Sequence, residues 1–290
     1  MLTIFTPTYN RAYILPKLYE SLRKQSCHDL EWIIIDDGST DDTKSLVEGW
    51  IRASNPFPIY YHRQPNGGKH RAINRGVKEA SGDFFFIVDS DDRLPSDAVE
   101  TILRETERIS DDPTFAGLVG LRGALDGTPS GDLGEEIFDD HLRTIRHRRG
   151  MMQDMAEVFR TDYLRRYPFP EPEGERFCTE ALVWNRLDRQ YRFRFLNRVI
   201  YLCEYRDDGL SAKYMSLLYH SPRSALTYHL ELAQDRELPL RTRLRSIISV
   251  WRYYDLIPTA ERPRMPRLWT LLRPIGRYFR KKDQRRYAPR

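Results

Sequence analysis

The spacing of apolar and polar positions changes repeatedly between two periods over the first 120 residues. Short, continuous apolar runs predict buried strands, and the segments between them carry apolar side chains every three or four residues, which predicts helices. The predicted strands cover residues 2–6, 31–35, 58–62, 84–88 and 115–121. The predicted helices lie near residues 14–22, 43–53, 69–80 and 96–108. This alternation indicates an α/β fold whose central sheet is mainly parallel, with right-handed crossovers.

The pattern is less regular in the rest of the chain. Residues 122–150 are rich in glycine, aspartate and arginine, and we predict a loop there. A helix is predicted over residues 179–191 and a strand over residues 193–202. From about residue 214 the pattern is helical, and prolines interrupt it at positions 222, 239, 258, 263, 266 and 274. We therefore expect helices, rather than more sheet, in the C-terminal part of the chain.

Polar residues follow the predicted strands at the point where each strand ends. These segments are Pro7-Thr8-Tyr9-Asn10, Asp36-Asp37-Gly38-Ser39, Pro65-Asn66-Gly67-Gly68 and Asp89-Ser90-Asp91-Asp92. The carboxyl ends of parallel strands meet at one edge of an open α/β sheet, and ligands bind at that edge. Asn10 and Ser39 also suit the caps of the helices that follow them.

The fourth of these segments is the most informative, because it brings three carboxylates to the end of one buried strand. Asp89, Asp91 and Asp92 would repel one another unless a cation lay among them. Oxygen ligands of this kind are preferred by Mg²⁺ and Mn²⁺, which also bind phosphate oxygens. The sequence therefore predicts a site that holds a divalent metal against a diphosphate.

The charge of the chain is unevenly distributed. The formal net charge is +5 over 290 residues. Residues 221–290 contain 17 Lys/Arg and 6 Asp/Glu, or +11, so residues 1–220 carry 5 − 11 = −6. An acidic body and a basic extension need separate explanations. We divide the chain accordingly into a domain of residues 1–212 and a helical, basic extension of residues 213–290.

The last 30 residues combine positive charge with apolar side chains at helical spacing. Residues 261–290 hold 11 Lys/Arg against 2 Asp/Glu. The apolar residues between them are Met265, Leu268, Trp269, Leu271, Leu272, Ile275, Tyr278 and Phe279. This composition favours an amphipathic helix on an anionic membrane surface or an acidic partner. A solvated, partly packed helix is the second interpretation. Nucleic acid is the third, and no nucleic-acid motif accompanies the segment.

Cysteine usage and hydropathy indicate the compartment. Cys27, Cys178 and Cys203 form neither a disulfide framework nor a zinc motif, which favours a reducing, cytoplasmic environment. The first residues enter a strand directly, so we expect no secretory signal peptide. No apolar run approaches the roughly 20 residues that a membrane-spanning helix requires.

Two common nucleotide-binding motifs are absent from the chain. Gly67-Gly68-Lys69 resembles part of a phosphate loop, but Arg63 and His70 stand where that motif needs glycine and Ser/Thr. The first strand is not followed by Gly-x-Gly-x-x-Gly. The sequence therefore excludes a P-loop ATPase and argues against a dinucleotide oxidoreductase.

Taken together, the segments after the first, second and fourth strands, with Ala72-Ile73-Asn74 and Gly82-Asp83, resemble the family 2 glycosyltransferases of the GT-A fold. The resemblance is dense over residues 1–100 and sparser from there to about 212. It implies a nucleotide-binding sandwich in which residues 1–120 bind the nucleotide-sugar and residues 121–212 carry the acceptor and catalytic half. The implied reaction transfers a sugar from a nucleotide-sugar, expected to be a UDP-sugar, to a hydroxyl group with inversion of the anomeric carbon.

The resemblance also implies roles for individual residues. Donor-binding positions are matched by Pro7, Thr8, Tyr9, Asp37, Lys69 and Asp89. The first three line the nucleoside pocket, Asp37 meets the base, and Lys69 is an additional cation near the phosphates. Asp89 and Asp91 form an Asp-x-Asp pair that meets the ribose and the Mn²⁺- or Mg²⁺-bound diphosphate, and Asp92 could replace either.

The catalytic base is expected at the start of a later helix. Thr179-Glu180 stands where the family usually has Glu-Asp, so Glu180 is the predicted base and Glu175 the substitute. The longer glutamate must sit back by about a methylene. Asp208 occupies the position at which the family often has a histidine metal ligand.

Two other functions remain open at the level of sequence. A nucleotidyltransferase on a related sheet would release pyrophosphate and would not need Glu180. A non-catalytic nucleotide- or glycan-binding module would be unaffected by Glu180→Gln. For the transferase, the expected acceptor is a lipid-linked or cell-surface glycan precursor, and the expected location is the cytoplasmic face of a membrane.

Overall fold

The computed structural model describes residues 1–147, 150–151, 153–203 and 210–288. The chain divides into two compact units. The first consists of Met1–Pro168 and Val183–Tyr205, and the second of Phe169–Leu182 and Arg206–Arg290. Residues 169–182 thus cluster with the C-terminal helices, whereas the division expected from charge and composition placed them in the first domain. The functional division into 1–212 and 213–290 stays a prediction.

The first unit is built on a sheet of eight strands among the residues described. They are β1 Leu2–Thr8, β2 Leu30–Asp36, β3 Ile59–Arg63, β4 Phe84–Ile87, β5 Phe115–Gly123, β6 Ile137–Asp140, β7 Met155–Arg160 and β8 Arg192–Leu202. Their order across the sheet is β3-β2-β1-β4-β7-β5-β8-β6. The four strands from β3 to β4 are mutually parallel, and so are β5 and β8. The pairs that include β7 or β6 are antiparallel. The predicted α/β fold with a mainly parallel sheet is confirmed.

Helices connect the strands, and the nearly continuous burial of β1 and β2 requires cover on both faces of the sheet's parallel part. They are α1 Leu15–Arg23, α2 Thr43–Arg52, α3 Lys69–Glu79, α4 Ala98–Glu107, α5 Leu142–His147, α6 Thr161–Arg166 and α7 Ala181–Asp188. All seven residues of β2 are buried, including Glu31. The Glu31 carboxylate accepts hydrogen bonds from the Thr3 and Ser81 hydroxyls at 2.6 and 2.5 Å, which allows it to be buried.

The region expected to be a loop contains regular structure. Residues 122–150 include the end of β5, the whole of β6 and α5, and β7 and α6 follow them. The strand β6 alternates exposed and half-buried residues, two of them aspartates, so its sequence lacks an apolar run. It pairs only with β8, at the edge of the sheet. Tertiary pairing, rather than local preference, makes it a strand.

The second unit is helical, as expected. Its helices are α8 Leu210–His220, α9 Pro222–Gln234, α10 Leu240–Tyr254 and α11 Arg273–Tyr287, with 3₁₀ helices at Thr259–Glu261 and Arg267–Leu272. Val250 and Tyr253 of α10 are buried with Leu226 of α9. In the part of the chain that the structure describes, no helix is long and apolar enough to cross a bilayer.

The C-terminal segment is part of this unit's core. Met265, Trp269 and Leu272 pack against Trp251, whose indole N–H donates to the Trp269 carbonyl at 2.6 Å. Arg252 of α10 forms a bidentate ion pair with the buried Asp283 of α11. The basic segment is therefore a packed part of the fold.

Gly276 allows α11 to approach α10 closely. A methyl group at this position would lie 2.4 Å from the Trp251 Cβ and 2.7 Å from the Ile248 carbonyl oxygen. Neither neighbour is the flexible end of a side chain, so the two helices would have to separate.

We expect Gly276→Ala to destabilise the second unit by about 1–3 kcal/mol, because it overpacks the α10–α11 contact. Gly49 of α2 is the matched control, since a methyl group there meets nothing within 4 Å. Gly49→Ala should be neutral or stabilising by up to about 1 kcal/mol. Urea denaturation, together with amide hydrogen exchange in α10 and α11, measures both variants. Equal stability of the two variants would contradict this packing.

Candidate active site

Three of the predicted polar segments meet at one edge of the sheet. The strands β1, β2 and β4 are parallel neighbours, so their carboxyl ends point the same way. The Asp37 amide donates to the Thr8 carbonyl at 2.8 Å, and the Val88 amide donates to the Phe5 carbonyl at 2.8 Å. These backbone bonds bring together the residues that follow β1, β2 and β4.

Asp89 forms an ion pair with the first residue of α3. The Lys69 Nζ lies 2.6 Å from Asp89 Oδ1, and both side chains are partly buried. Burial disfavours the carboxylate, but the Lys69 ammonium outweighs it and, with Arg122 and Arg11, holds the pKa of Asp89 below its ordinary value. We predicted Lys69 near the phosphates of the donor, and in the structure its ammonium group contacts the Asp89 carboxylate.

Asp92 is the most deeply buried carboxylate of the group. Its Oδ2 accepts a hydrogen bond from the Tyr201 hydroxyl at 2.5 Å, and the same hydroxyl accepts one from the Asp89 amide at 3.1 Å. Burial and the nearby Asp89 charge raise the pKa of Asp92 to about 7, against the opposing effect of the Tyr201 bond. The site therefore holds a carboxylate whose charge is costly without a further cation.

Asp91 lies between these two residues and is half-buried. In contrast to its neighbours, its side chain makes no hydrogen bond or ion pair with the residues that the structure describes. Within those same residues, no group of three or more His, Cys, Asp or Glu side chains is placed to hold a metal ion. A single available carboxylate still fits Mg²⁺ or Mn²⁺, which commonly bind through one or two carboxylates, water and substrate phosphates.

Asp37 holds the turn that leads into α3. Its Oδ1 accepts hydrogen bonds from the Gln64 side-chain amide at 2.8 Å and the Gly67 amide at 2.9 Å, and its Oδ2 accepts one from the Gly68 amide at 2.7 Å. Gly68 has φ = 97°, a conformation that favours glycine. Asp37 thereby fixes the loop that positions Lys69.

Thr8 ends β1 with a hydroxyl that is available for a ligand. The Thr8 Oγ1 is buried and lacks a hydrogen-bond partner among the described residues. A buried polar atom without a partner is rare and calls for a bound group or water. Of the neighbouring predicted donor residues, Pro7 is half-buried and the Tyr9 side chain is 48% exposed.

Asn10 and Ser39 join two loops instead of capping helices. The Ser39 hydroxyl accepts a hydrogen bond from the Asn10 amide at 2.8 Å, and the Asn10 Oδ1 accepts one from the Thr40 amide at 2.8 Å. The residues at the caps of α1 and α2 are Ile14 and Asp42. The capping interpretation was therefore wrong. Asn10 has φ = 53°, which asparagine tolerates better than most residues.

Two residues of the site were missed by the sequence analysis. Tyr201 lies near the end of β8, and Arg122 lies near the end of β5 with its guanidinium 4.6 Å from the centre of the Tyr201 ring. Burial disfavours the arginine charge, but Tyr201, Glu157 and Asp89 outweigh it and raise the pKa of Arg122. The available signal was a lone arginine in an otherwise apolar strand.

The predicted base and its substitute belong to the second unit. Glu175 is buried, and its carboxylate accepts hydrogen bonds from the Arg223 and Ser224 amides at 2.6 and 2.9 Å. These contacts make it the side chain that caps α9. Glu180 is half-buried and directly precedes α7. Asp208, the predicted second metal ligand, lies outside the described residues.

Comparison with known proteins gives one family match. Residues 3–150, half of the chain, match the family model described as Glycosyl transferase family 2. The chain is 37% identical over 108 residues to a Campylobacter jejuni GalNAc(5)-diNAcBac-PP-undecaprenol beta-1,3-glucosyltransferase, covering 36% of this chain and 34% of that protein. It is 30% identical over 107 residues to glycosyltransferase GlyG of Streptococcus pneumoniae, covering 37% and 35%. The chain thus matches about a third of the length of these relatives.

Solved structures resemble the whole chain. The fold is similar to that of S. aureus TarS 1-349 in complex with UDP-GlcNAc, with a TM-score of 0.60 at 19% identity, covering 98% of this chain and 91% of that chain. It is also similar to the mannosyltransferase PcManGT from Pyrobaculum calidifontis in complex with GDP-Man and Mn²⁺, with a TM-score of 0.59 at 14% identity, covering 100% and 88%. At these identities the likeness shows the fold alone.

The raised pKa of Asp92 predicts a pH-dependent cost of folding in the absence of metal. The folded state binds this proton more tightly than the unfolded chain does, so the cost is absent below about pH 4 and complete above about pH 7. We expect Asp92→Asn, which keeps an acceptor for Tyr201, to be more stable than wild type by roughly 4 kcal/mol at pH 8. This advantage should shrink steadily towards pH 5.

Urea denaturation from pH 5 to 8, in the presence of a chelator, measures this difference. Asp111→Asn, at an exposed position after α4, is the control and should follow the wild-type pH dependence. A constant difference between Asp92→Asn and wild type over that range would contradict the assignment.

Proposed function

The chain belongs to glycosyl transferase family 2, as its motifs predicted, and we propose that it transfers a sugar from a nucleotide-sugar to a hydroxyl acceptor with inversion at the anomeric carbon. The observation that carries this proposal is the group of Asp89, Asp91 and Asp92 at the carboxyl end of β4, where Lys69 and Arg122 supply positive charge. Carboxylates and fixed cations in one place suit a diphosphate that arrives with a metal ion.

The donor side of the site has separate support. The buried hydroxyl of Thr8 requires a partner, and a nucleoside would supply one beside Pro7 and the exposed ring of Tyr9. Asp37 has three hydrogen bonds to its own loop, so its contact with the base would add to an existing structural role. The proposed donor is a UDP-sugar, and the similarity to TarS, solved with UDP-GlcNAc, supports this choice.

Asp91 would hold Mn²⁺ or Mg²⁺, with Asp208 as a second proposed ligand. When bound, the ion stabilises the negative charge that develops on the departing nucleoside diphosphate. Lys69 keeps Asp89 ionised, and the Tyr201 hydroxyl orients Asp92 next to it. The three carboxylates are thereby held in different environments, and Asp91 is the one left available for the metal.

Glu180 is the proposed catalytic base, which would accept the proton of the acceptor hydroxyl as the oxygen attacks. Its position directly before α7 supports the proposal, because the family motif places the base at the start of a helix. The capping bonds of Glu175 leave Glu180 as the stronger of the two candidates.

The proposed acceptor is a lipid-linked or cell-surface glycan precursor. The name of the Campylobacter jejuni relative, which specifies an undecaprenol-linked substrate, supports this class. Three free cysteines, Cys27, Cys178 and Cys203, suit the proposed cytoplasmic location.

We expect Asp91→Asn to lower turnover by about 10²–10³-fold, because the side chain keeps its size and loses the charge that binds the metal. Hydrolysis of a panel of nucleotide-sugars in Mn²⁺ or Mg²⁺ measures it. Asp83→Asn is the control, since Asp83 lies at the other end of β4 and its side chain is 81% exposed. Unchanged hydrolysis in Asp91→Asn would refute the metal-binding role. Pyrophosphate release from nucleoside triphosphates would instead favour a nucleotidyltransferase.

We expect Glu180→Gln to lower the transfer rate and leave donor affinity near the wild-type value, because a base acts on the acceptor and not on the donor. Transfer kinetics and calorimetric titration with the donor measure the two quantities. Glu173→Gln, an exposed change in the same segment, should alter neither. Weakened donor binding in Glu180→Gln, or transfer at the wild-type rate, would rule out the base assignment.

A further inference from the structure

We propose that the second unit binds the surface of an anionic lipid bilayer through one face of its C-terminal segment. This C-terminal face consists of Leu268, Leu271, Ile275 and Tyr278. The proposal goes beyond sugar transfer and does not depend on it, because it concerns side chains remote in sequence from the carboxylates and is tested without any donor.

Four large apolar side chains of this face are exposed. Leu268 is 79% exposed, Leu271 74%, Tyr278 65% and Ile275 43%. The first two belong to the 3₁₀ helix Arg267–Leu272, and the others belong to α11, which begins at the next residue. Successive members are three, four and three residues apart, which is the spacing that aligns side chains along one side of a helix. The face is therefore a continuous apolar stripe.

The opposite side of the same segment is already occupied. Gly276 packs against Trp251, and Asp283 is buried against Arg252. Met265, Trp269 and Leu272 fill the cluster around Trp251. These residues fill the core of the unit. The four side chains of the C-terminal face therefore take no part in its internal packing. An exposed stripe of this kind marks an interaction surface.

Positive charge surrounds this stripe. Exposed basic residues of the segment are Arg264, Arg267, Arg277, Lys281, Lys282, Arg285 and Arg286. Acidic groups are neutralised nearby. Asp255 is contacted by four arginines, Arg262, Arg273, Arg277 and Arg280, at 2.7–3.9 Å.

The other two acids of the region are also paired. Glu261 forms an ion pair with Arg223, and Asp283 forms one with Arg252. The acidic side chains of the region are thus neutralised by ion pairs, and the exposed side chains carry a net positive charge. Apolar side chains flanked by cations complement the headgroups and acyl chains of an anionic leaflet.

This geometry defines how the protein would lie on the membrane. The proposed association is interfacial, because the apolar side chains lie along one side of the segment and its other side packs in the core of the unit. Leucine, isoleucine and tyrosine would enter the boundary between headgroups and acyl chains, and the lysines and arginines would remain at the phosphates. Nucleic acid would bind the same cations, but its affinity would not depend on Leu268 and Leu271. Substitution of these two leucines therefore distinguishes a membrane from a nucleic acid.

The test is sedimentation of the full chain with two kinds of vesicle. One kind contains phosphatidylcholine alone, and in the other about 30% of the lipid is anionic phosphatidylglycerol. Leu268→Ser/Leu271→Ser removes apolar contact, and Lys281→Glu/Lys282→Glu/Arg285→Glu reverses charge. Point changes at exposed positions are preferable to removing residues 261–290, because that segment fills the core of the unit. Matched controls on the first unit are Ile51→Ser/Leu125→Ser and Lys17→Glu/Lys24→Glu/Lys78→Glu, all at exposed positions.

Wild type and both controls should bind the anionic vesicles, and each C-terminal variant should partition at least about tenfold more weakly. Their far-ultraviolet circular dichroism and melting should match wild type, since the changed side chains are exposed. Three outcomes would overturn the proposal. Wild type could bind both vesicle types equally or neither. The leucine variant could bind as well as its control, which would indicate that charge alone accounts for the binding. Ultracentrifugation without lipid could show a dimer that the leucine changes dissociate.

Discussion

The structure of the site depends on keeping three carboxylates together at the end of one short strand. Asp89, Asp91 and Asp92 follow β4 with a single serine between them, so the chain itself sets their proximity. Each resolves the repulsion differently. Asp89 is neutralised by Lys69, Asp92 is bonded to Tyr201 and has its pKa raised to about 7, and Asp91 has no partner among the described side chains. We expect an added cation to stabilise a site in this condition.

The sheet supplies the groups that make this arrangement tolerable. Because β1, β2 and β4 are parallel neighbours, Asp37 can hold the turn that presents Lys69 to Asp89. From the other half of the sheet, β5 and β8 run parallel and bring Arg122 and Tyr201 to the same carboxylates. The strand order thus brings cations and a hydroxyl group to the carboxylates from distant parts of the chain. Tyr201, for example, is 109 residues from Asp92.

The sequence was most informative where one strong local pattern decided the structure. Short apolar runs predicted β1, β2 and β4, and the polar segments after them predicted the edge at which the site lies. What local patterns could not reveal were long-range pairings. The strand β6 owes its existence to β8, and the roles of Tyr201 and Glu175 depend on partners 109 and 49 residues away. The buried side of the basic C-terminal segment was hidden for the same reason, because it is defined by packing against Trp251.

In the proposed function, this edge of the sheet binds a nucleotide-sugar with the help of a divalent cation. Isothermal titration calorimetry of the full chain with UDP-sugars, in Mn²⁺ or Mg²⁺ and again in a chelator, tests it most directly. We expect saturable binding of at least one donor that is strengthened by the metal and lost with the chelator. Equal binding in the two conditions, or no binding of any donor, would contradict it.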